Sequence, residues 1–356
     1  MPAKTSECQG ISVGLKDAEK AKRFLSEKKL FVRGFAPKKG KGTIAFPVAH
    51  KLTLAELKEL GAGAKARQGK FKFEKSGLKQ GGLKERLKGK LSAKELENLI
   101  SSYDQLGDTA IIEIPPELEK KQAIIAKALL DSGPNIKTVA KITGVHSGEF
   151  RVRPVEIIAG EKKDFAFYRE AGCGFKIALG KVFFSPRLGT ERLRISKLIK
   201  SGEVVGAFFA GVGPFPIVFA KNSPMEKSVA IELNPEAVKC MRENAELNKC
   251  AGKIEIIEGD VNRVCLPRFK KAFDRIVMPL PKGGENFLET AVACAKKGGT
   301  IHFYRFVDRN KPFERPLAEI AKACERQGGK FRVLMKRKVR SFSASTVQVV
   351  VDFKAE

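Results

Sequence analysis

The sequence has no tryptophan, and only three tyrosines and three histidines occur among its 356 residues. The histidines are His50, His146 and His302, which lie far apart in the chain and offer little for a histidine-based metal site or a Ser-His mechanism. None of the seven cysteines forms a CxxC pair, so a disulfide framework and a zinc site are both disfavoured. We therefore expect a protein that works without a metal.

Long hydrophobic runs are also absent. No stretch reaches the eighteen or more apolar residues that a membrane span needs, and the N-terminus MPAKTSECQG lacks the apolar core of a signal peptide. We expect a cytoplasmic protein without a membrane partner. Acidic residues are scarce relative to basic ones, with 40 Asp and Glu against 68 Lys and Arg. This excess predicts a polyanionic partner, the alternative being a generally basic surface.

Changes in composition divide the chain. Helical spacing over 17–30 and 53–60, with a strand over 43–50, predicts a small basic first domain, whereas 65–90 is rich in Lys and Gly and indicates a linker or an exposed basic loop. Beyond it, a Ser92–Glu95 capping-box pair, a strand over 109–115 and a helix over 117–130 indicate an α+β unit. We predict domains over 1–75, 91–184 and 185–356, with a linker over 76–90.

The last domain alternates strands and helices. Five strand-like runs, EVVGAFFA, SVAIEL, KIEIIEGDV, FDRIVMPL and GTIHFYRF, are separated by helical stretches. This alternation is typical of a parallel doubly wound α/β sheet of the Rossmann type, which binds ligands at the carboxyl ends of its strands. Two final runs, FRVLMKRKVRSFS and STVQVVVDFK, predict an antiparallel hairpin at the sheet edge, an arrangement common in methyltransferases that use S-adenosylmethionine (AdoMet).

The first of these strands ends in a glycine turn, FFAGVGPFP. Gly211 and Gly213 are present, but a dinucleotide fingerprint needs a third glycine, and here Pro214 and Pro216 remove backbone N–H donors that a phosphate would use. The turn therefore favours a ligand with a small charged group and no phosphate, such as AdoMet.

Acidic residues follow the next two strands. Glu232 stands at the tip of the second strand, where a carboxylate can accept hydrogen bonds from both hydroxyls of a ribose. Asp260 follows the third strand, where an adenine amino group could be bound. Each acid alone could be a solvated strand end, but together and in this order they favour AdoMet. Asn234 with Pro235 predicts a helix N-cap directly after Glu232.

Four segments in order, SYDQLGDTAIIEIP, SGEFRVRPVEIIAG, FSPRLGTERLRI and FFAGVGPF, resemble the archaeal and eukaryotic tRNA (guanine-37-N1)-methyltransferase family. The similarity extends over nearly the whole chain. It implies a class I AdoMet methyltransferase domain, a middle domain that helps form the active site, an N-terminal domain that recognises tRNA, and a monomeric enzyme.

The resemblance also implies roles for particular residues. Guanine N1 carries a proton and is a poor nucleophile, so a base must remove the proton and a cation must stabilise the charge on O6. By similarity Glu191 is the base and Arg151 is the O6 partner, with Arg153 as an alternative to Arg151. The implied cofactor-binding set is Arg192, Phe209, Gly211, Gly213, Glu232, Leu233, Asp260, Val261 and Pro279.

Two positions depart from the family pattern. Pro279 stands where many members have Asn, and Ala207 where they usually have Asp. Two alternatives stay open at this stage. One is a wyosine-pathway tRNA transferase, acting by aminocarboxypropyl transfer or by carbon methylation of a tricyclic guanine derivative. The other is a noncatalytic RNA-binding protein that retains the fold.

Overall fold

The computed structural model describes residues 5–28, 30–32, 34–61, 66–74, 82–133, 135–144, 150 and 152–356. These residues divide into two compact units, Met1–Ser101 with Ile114–Val139 and Ser102–Glu113 with Ala140–Glu356. The boundaries predicted from the sequence near residues 75, 90 and 184 stay a prediction.

The N-terminal part of the chain forms an antiparallel sheet in the order β2-β3-β1-β4. Ala21, Phe24 and Leu25, whose spacing predicted a helix, lie on the buried face of α1. The elements are β1 (Thr5–Gly14), α1 (Ala18–Glu27), β2 (Lys38–Gly40), β3 (Thr43–Pro47), α2 (Leu54–Leu60) and β4 (Arg67–Glu74).

The prediction of a linker or exposed loop over 65–90 is wrong for its described parts. Residues Arg67–Glu74 form β4, which pairs with β1, and Phe73 is fully buried there. Leu83–Leu87 form helix α3, with both terminal leucines buried. The alternating phenylalanines Phe71 and Phe73 were the signal for a strand, but the adjacent lysines Lys70 and Lys72 hid it.

The predicted Ser92–Glu95 capping box is confirmed, because the Ser92 hydroxyl accepts from the Glu95 backbone and the Glu95 carboxylate accepts from the Ser92 backbone. It begins α4 (Ala93–Asn98). The predicted helix over 117–130 starts as a 3₁₀ helix, Pro116–Lys121, and continues as α5 (Gln122–Leu130).

Two further sheets follow. A four-stranded sheet has the order β5-β6-β7-β8, and β9 and β10 form an antiparallel pair. Their bounds are β5 (Tyr103–Leu106), β6 (Thr109–Glu113), β7 (Thr138–Ile142), β8 (Val155–Gly160), β9 (Phe165–Glu170) and β10 (Cys173–Ala178).

The C-terminal sheet has seven strands in the order β13-β12-β11-β14-β15-β17-β16, parallel except that β17 runs antiparallel to both of its neighbours. This confirms the predicted class I fold with its terminal hairpin. Its strands and helices are α6 (Gly189–Ser196), β11 (Val204–Phe208), α7 (Pro214–Asn222), β12 (Lys227–Glu232), α8 (Pro235–Leu247), β13 (Ile254–Glu258), α9 (Val261–Arg268), β14 (Phe273–Met278), α10 (Leu288–Cys294), β15 (Ala295–Asp308), α11 (Glu314–Arg326), β16 (Phe331–Ser341) and β17 (Thr346–Ala355).

Apolar packing covers both faces of this sheet. Phe215 and Ile217 of α7 and Met241 of α8 belong to one buried cluster, and Leu288 of α10 and Ile320 of α11 belong to the other. Such a sandwich requires nearly continuous apolar central strands, which is what the sequence shows. The carboxyl ends of β13, β12, β11 and β14 consequently lie side by side at one edge, where sequence reasoning places the ligand.

Candidate active site

The turn between β11 and α7 is shaped by left-handed backbone. Phe209, Gly211 and Gly213 have φ of 56°, 58° and 85°. A Cβ on Gly213 would lie 2.8 Å from Cγ of Met241 and 2.9 Å from Cδ1 of Ile217, so only glycine lets α7 pack closely here. Gly211 has room for a Cβ, since its nearest neighbour would be a carbonyl oxygen at 3.6 Å. Gly213 thus allows close packing, and Gly211 gives the turn its shape.

Glu232 joins this turn to the neighbouring strand tip. Its Oε2 accepts a hydrogen bond from the Gly211 backbone at 2.7 Å, and its Oε1 accepts from the Asn234 backbone at 2.9 Å. Burial raises the pKa of Glu232, although backbone N–H groups, including that of Leu233, act in the opposite direction. Asn234 caps α8 as predicted, because its side chain accepts from the Glu236 backbone at 3.0 Å.

The other predicted cofactor residues at this edge follow their strands in the same way. Asp260 caps α9 by accepting from the Arg263 backbone at 3.1 Å, and Val261 is buried behind it. Pro279 follows β14 directly and is half-buried. Ala207 lies within β11 and is fully buried. The strand tips therefore bring together Phe209, Gly211, Gly213, Glu232, Leu233, Asp260, Val261 and Pro279.

Arg192 lies in a different environment. Its side chain is buried and pairs with Glu170, donating from Nη2 to Oε2 at 2.8 Å and to the Ser185 carbonyl at 3.1 Å. Its guanidinium also packs 5.4 Å from the Phe184 ring centre and 5.7 Å from that of Phe215. A direct role of Arg192 in cofactor binding stays a prediction.

Glu191 projects from α6 into a buried polar cluster and is only 1% exposed. Its Oε2 accepts from the Tyr304 hydroxyl at 2.9 Å and from Arg194 Nε at 3.0 Å. Among the described residues, Oε1 has no hydrogen-bond donor, although Arg337 Nη1 lies 3.1 Å away as an ion-pair partner. One oxygen is thus fixed by the protein, and the other faces only the half-exposed Arg337.

A chain of buried charges continues behind Arg194. Arg194 Nη1 donates to Asp352 Oδ2 at 2.6 Å, and His302 Nδ1 lies 2.7 Å from Asp352 Oδ1. Arg275 Nη1 lies 2.9 Å from His302 Nε2 and pairs with Glu203. Because a guanidinium only donates, Nε2 must accept, and the proton of a neutral His302 therefore resides on Nδ1.

The titration of this chain follows from its burial. Burial lowers the pKa of His302, with Arg275 acting in the same direction and Asp352 opposing it. Burial works against ionised Asp352, but His302 and Arg194 hold its pKa below the usual value. Burial, followed by the charge of Glu191, raises the pKa of Tyr304 well above its usual value. The tyrosine is therefore a fixed hydrogen-bond donor to Glu191.

Sequence reasoning singled out Glu191, whose catalytic role stays a prediction, but not the side chains that surround it, Tyr304, Arg194 and Arg337. Tyr304 and Arg337 come from strands far away in the sequence, and only their register, Tyr304 opposite Val350 and Val350 opposite Arg337, aligns them. Arg194, three residues after Glu191 on α6, could have been found from its helical spacing.

Arg151, the predicted O6 partner, lies outside the described residues. Its alternative, Arg153, pairs with Glu113 at 2.8 Å and donates to the Gly144 carbonyl at 3.3 Å. Two of the segments that carried the family resemblance meet through an ion pair of 2.8 Å between Arg187 and Asp104.

Within the described residues, no group of three or more His, Cys, Asp or Glu side chains could hold a metal ion. In the same part of the chain, no helix has both the length and the apolar character that a membrane crossing requires.

The strand order, the terminal hairpin and the glycine turn define a class I methyltransferase fold. Residues 166–334 match the family model described as TRM5/TYW2 methyltransferase domain, and residues 83–163 match that of the TYW2 N-terminal domain. The chain belongs to the TRM5/TYW2 methyltransferase family.

Three curated relatives are similar over most of their length. The chain is 39% identical over 256 residues to the tRNA (guanine(37)-N(1))-methyltransferase Trm5b of Pyrococcus abyssi, covering 72% of this chain and 75% of that protein. It is 35% identical to Trm5b of Methanocaldococcus jannaschii, covering 79% of each. It is 34% identical to the tRNA 4-demethylwyosine(37)-methyltransferase Taw21 of Saccharolobus solfataricus, covering 70% of this chain and 92% of that protein.

Solved structures agree with these matches. Wild-type Trm5b from Pyrococcus abyssi superposes with a TM-score of 0.71 at 32% identity, covering 98% of this chain and 99% of that chain. The complex of aTrm5 with tRNALeu gives a TM-score of 0.69 at 31% identity with the same coverage. The Methanocaldococcus jannaschii Trm5 complex with adenosine gives 0.65 at 28% identity, again covering 98% and 99%.

Proposed function

We propose that this protein transfers a methyl group from AdoMet to N1 of guanosine 37 in the anticodon loop of tRNA. Two relatives that are 39% and 35% identical carry this activity in their names, and a structural neighbour at 31% identity is bound to a tRNA. The excess of 68 basic over 40 acidic residues suits a polyanionic substrate.

The strand tips fit AdoMet. Glu232 accepts backbone hydrogen bonds from Gly211 and Asn234, and its carboxylate keeps acceptor capacity for a ribose hydroxyl. In this proposal Phe209, Gly211, Gly213 and Leu233 surround the nucleoside, Asp260 and Val261 contact the adenine, and Pro279 borders the reactive end. Arg192 supports the site through α6. When bound, AdoMet supplies an electrophilic methyl group on a sulfonium sulfur. An adenosine-bound structural neighbour supports the nucleoside part of this assignment.

The observation that carries the mechanism is the buried Glu191 carboxylate with one oxygen already satisfied. Tyr304 and Arg194 hold Oε2, so the carboxylate cannot rotate freely, and Oε1 is left to accept a proton. In our proposal Glu191 Oε1 would accept the N1 proton of guanine, so that N1 can take the methyl group while the S–CH3 bond breaks and the sulfonium leaves as a neutral thioether. Because the base acts within hydrogen-bond reach, its orientation matters as much as its basicity.

Loss of the N1 proton places negative charge on guanine O6, which a cation must stabilise. By resemblance to the family, Arg151 supplies it. Arg337 supplies a second positive charge in our proposal, since its guanidinium lies 3.1 Å from Glu191 Oε1 and its side chain is 45% exposed. Arg337 shields the buried carboxylate before the substrate binds and then turns toward the purine edge that displaces it.

The proposal is tested with an unmodified tRNA transcript carrying guanine at position 37, beside a matched transcript carrying adenine there. We expect AdoMet-dependent formation of 1-methylguanosine on the first transcript and no product on the second. Methylation of both transcripts, or of neither while AdoMet binds, would remove the assignment. Isothermal titration with AdoMet separates the enzyme from a noncatalytic RNA-binding protein, which would bind none.

A second candidate is methylation of the wyosine precursor at the same nucleotide. Two observations support this candidate: the chain is 34% identical to Taw21, and Pro279 stands where many members of the family have Asn. A tRNA that carries 4-demethylwyosine at position 37 is the discriminating substrate. Turnover of that tRNA at a rate similar to that of the guanine-37 transcript would indicate a dual activity.

A further inference from the structure

Two aromatic rings lie at the carboxyl end of β15. Phe306 of β15 and Phe342, just beyond β16, have ring centres 4.4 Å apart with an interplanar angle of 41°. We call this pair the aromatic platform. Phe342 is 60% exposed, so one side of its ring is covered by Phe306 and much of the remainder faces solvent. An exposed ring that already packs against another is a preformed surface for a flat ligand.

The platform is held firmly. The Phe342 backbone donates to the Thr346 carbonyl at 3.0 Å across the β16–β17 turn. Arg309 Nη2 donates to the Ser341 hydroxyl and to the Ser343 carbonyl, both at 3.1 Å, and so ties the turn to the end of β15. A ligand would therefore find the ring positioned and would lose little freedom in ordering it.

The platform shares strand β15 with Tyr304, the residue that donates to the proposed catalytic carboxylate. Tyr304, which holds Glu191, is two residues before Phe306 on β15, and residues two apart share one face of a strand at a spacing of about 7 Å. The Phe306 backbone also donates to the Pro281 carbonyl at 3.0 Å, just after the end of β14. The platform and the residue that holds Glu191 are thus two positions apart on the same strand.

The surroundings of the platform are basic. The Arg340 guanidinium lies 5.9 Å from the Phe342 ring centre and donates to Gln348 at 2.8 Å. Lys338 donates to the Arg309 carbonyl at 3.5 Å. Burial lowers the pKa of Arg340; the charge of Arg187 acts in the same direction, and that of Asp104 opposes it. Aromatic rings among cations are typical of surfaces that bind single-stranded nucleic acid.

We infer that the aromatic platform binds the nucleobase next to the target guanine by stacking it on Phe342, with Arg340 near the connecting phosphate. The inference rests on the proposed function, because it assigns a contact to a neighbour of nucleotide 37. The exposed ring, the neighbouring cations and the position two residues along β15 from Tyr304 together favour RNA over an acidic peptide, for which a stacking surface would serve no purpose.

The test uses the full-length protein with AdoMet and two anticodon stem-loop RNAs, one with 2-aminopurine at position 36 and the other at position 38. Stacking quenches 2-aminopurine, so we expect quenching at one of these positions with wild-type protein. We expect Phe342→Ala to remove that quenching and to weaken RNA binding about 5- to 100-fold, the range for loss of one base–aromatic stack. Phe342→Tyr should retain both.

Leu334→Ala is the matched control, since Leu334 is an exposed apolar residue (45%) of the same strand. It should bind RNA and quench like the wild type. An abasic site at the quenched position should weaken wild-type binding as much as Phe342→Ala does, and the two changes combined should add little more. Equal quenching by wild type and Phe342→Ala, or quenching at neither position, would overturn the inference. If wild type binds and quenches but forms no methylguanosine, the proposed function fails while the stacking site remains.

Discussion

At the scale of single residues, Glu191 is distinguished by an asymmetric environment. Two donors fix Oε2, whereas among the described residues Oε1 has the guanidinium of Arg337 as its ion-pair partner and no hydrogen-bond donor. A simple helix-start acid would be solvated, and this carboxylate is 1% exposed. The family resemblance singled out Glu191, which lies within the segment FSPRLGTERLRI, but the sequence could not predict the partners that strand register brings from residues 304 and 337.

Replacing Arg337 tests whether it contributes to the reaction. Arg337→Ala should lower the single-turnover methylation rate about tenfold or more, since removing one charged donor at a reacting oxygen commonly costs that much. AdoMet affinity should not change. Arg332→Ala is the control, because Arg332 is an exposed arginine on the same strand that pairs with Glu356. Equal rates for Arg337→Ala and Arg332→Ala would show that Arg337 only shields the carboxylate and takes no part in the reaction.

At the scale of elements, strands that alternate with helices were predictable because buried parallel strands need continuous apolar runs. The terminal hairpin was predictable because two strand-like runs, FRVLMKRKVRSFS and STVQVVVDFK, follow each other with only a short break. Strand β4 was not, since it alternates with lysines and carries one fully buried phenylalanine, Phe73. Strand pairing of that kind is decided by a partner, here β1, which is distant in the sequence.

The glycine turn gives a prediction at this scale. The control is Gly202→Ala, at a glycine outside the turn, before β11. Its φ is 79° and no heavy atom lies within 4 Å of the added Cβ, so the change introduces only a left-handed alanine and should cost about 1 kcal/mol. Gly213→Ala adds overpacking against Met241 and Ile217, which should bring the loss to about 2–4 kcal/mol. Chemical denaturation measures both. Similar losses for the two variants would show that α7 packs less tightly than described.

At the scale of the whole molecule, a buried chain of charges runs from Arg275 through His302, Asp352 and Arg194 to Glu191. It connects β14, β15 and β17 with α6. The sequence did not reveal it, because each member looks like an ordinary charged residue until the sheet brings them together. Stability and the proposed catalytic site thus depend on the same side chains.

Acidification should weaken the fold through His302. Its folded-state pKa is lowered by burial, so below about pH 6.5 the unfolded chain takes up a proton that the folded chain does not. The free energy of unfolding should therefore fall by about 1 kcal/mol between pH 7.5 and 5.5 on this account. His302→Gln should show a shallower decline over that interval. Because the pKa of Asp352 is lowered, its contribution to the free energy of unfolding is lost only in stronger acid. Parallel declines for wild type and His302→Gln would rule out this role.

The most direct measurement is the single-turnover rate of methylation of a guanine-37 tRNA transcript, with saturating AdoMet, by wild type, Glu191→Gln and Arg151→Ala. Glutamine keeps the shape of the side chain but cannot take the N1 proton. We predict a loss of orders of magnitude for Glu191→Gln and of about a hundredfold or more for Arg151→Ala, with AdoMet binding unchanged in both. A Glu191→Gln enzyme that forms 1-methylguanosine at the wild-type rate would contradict the account.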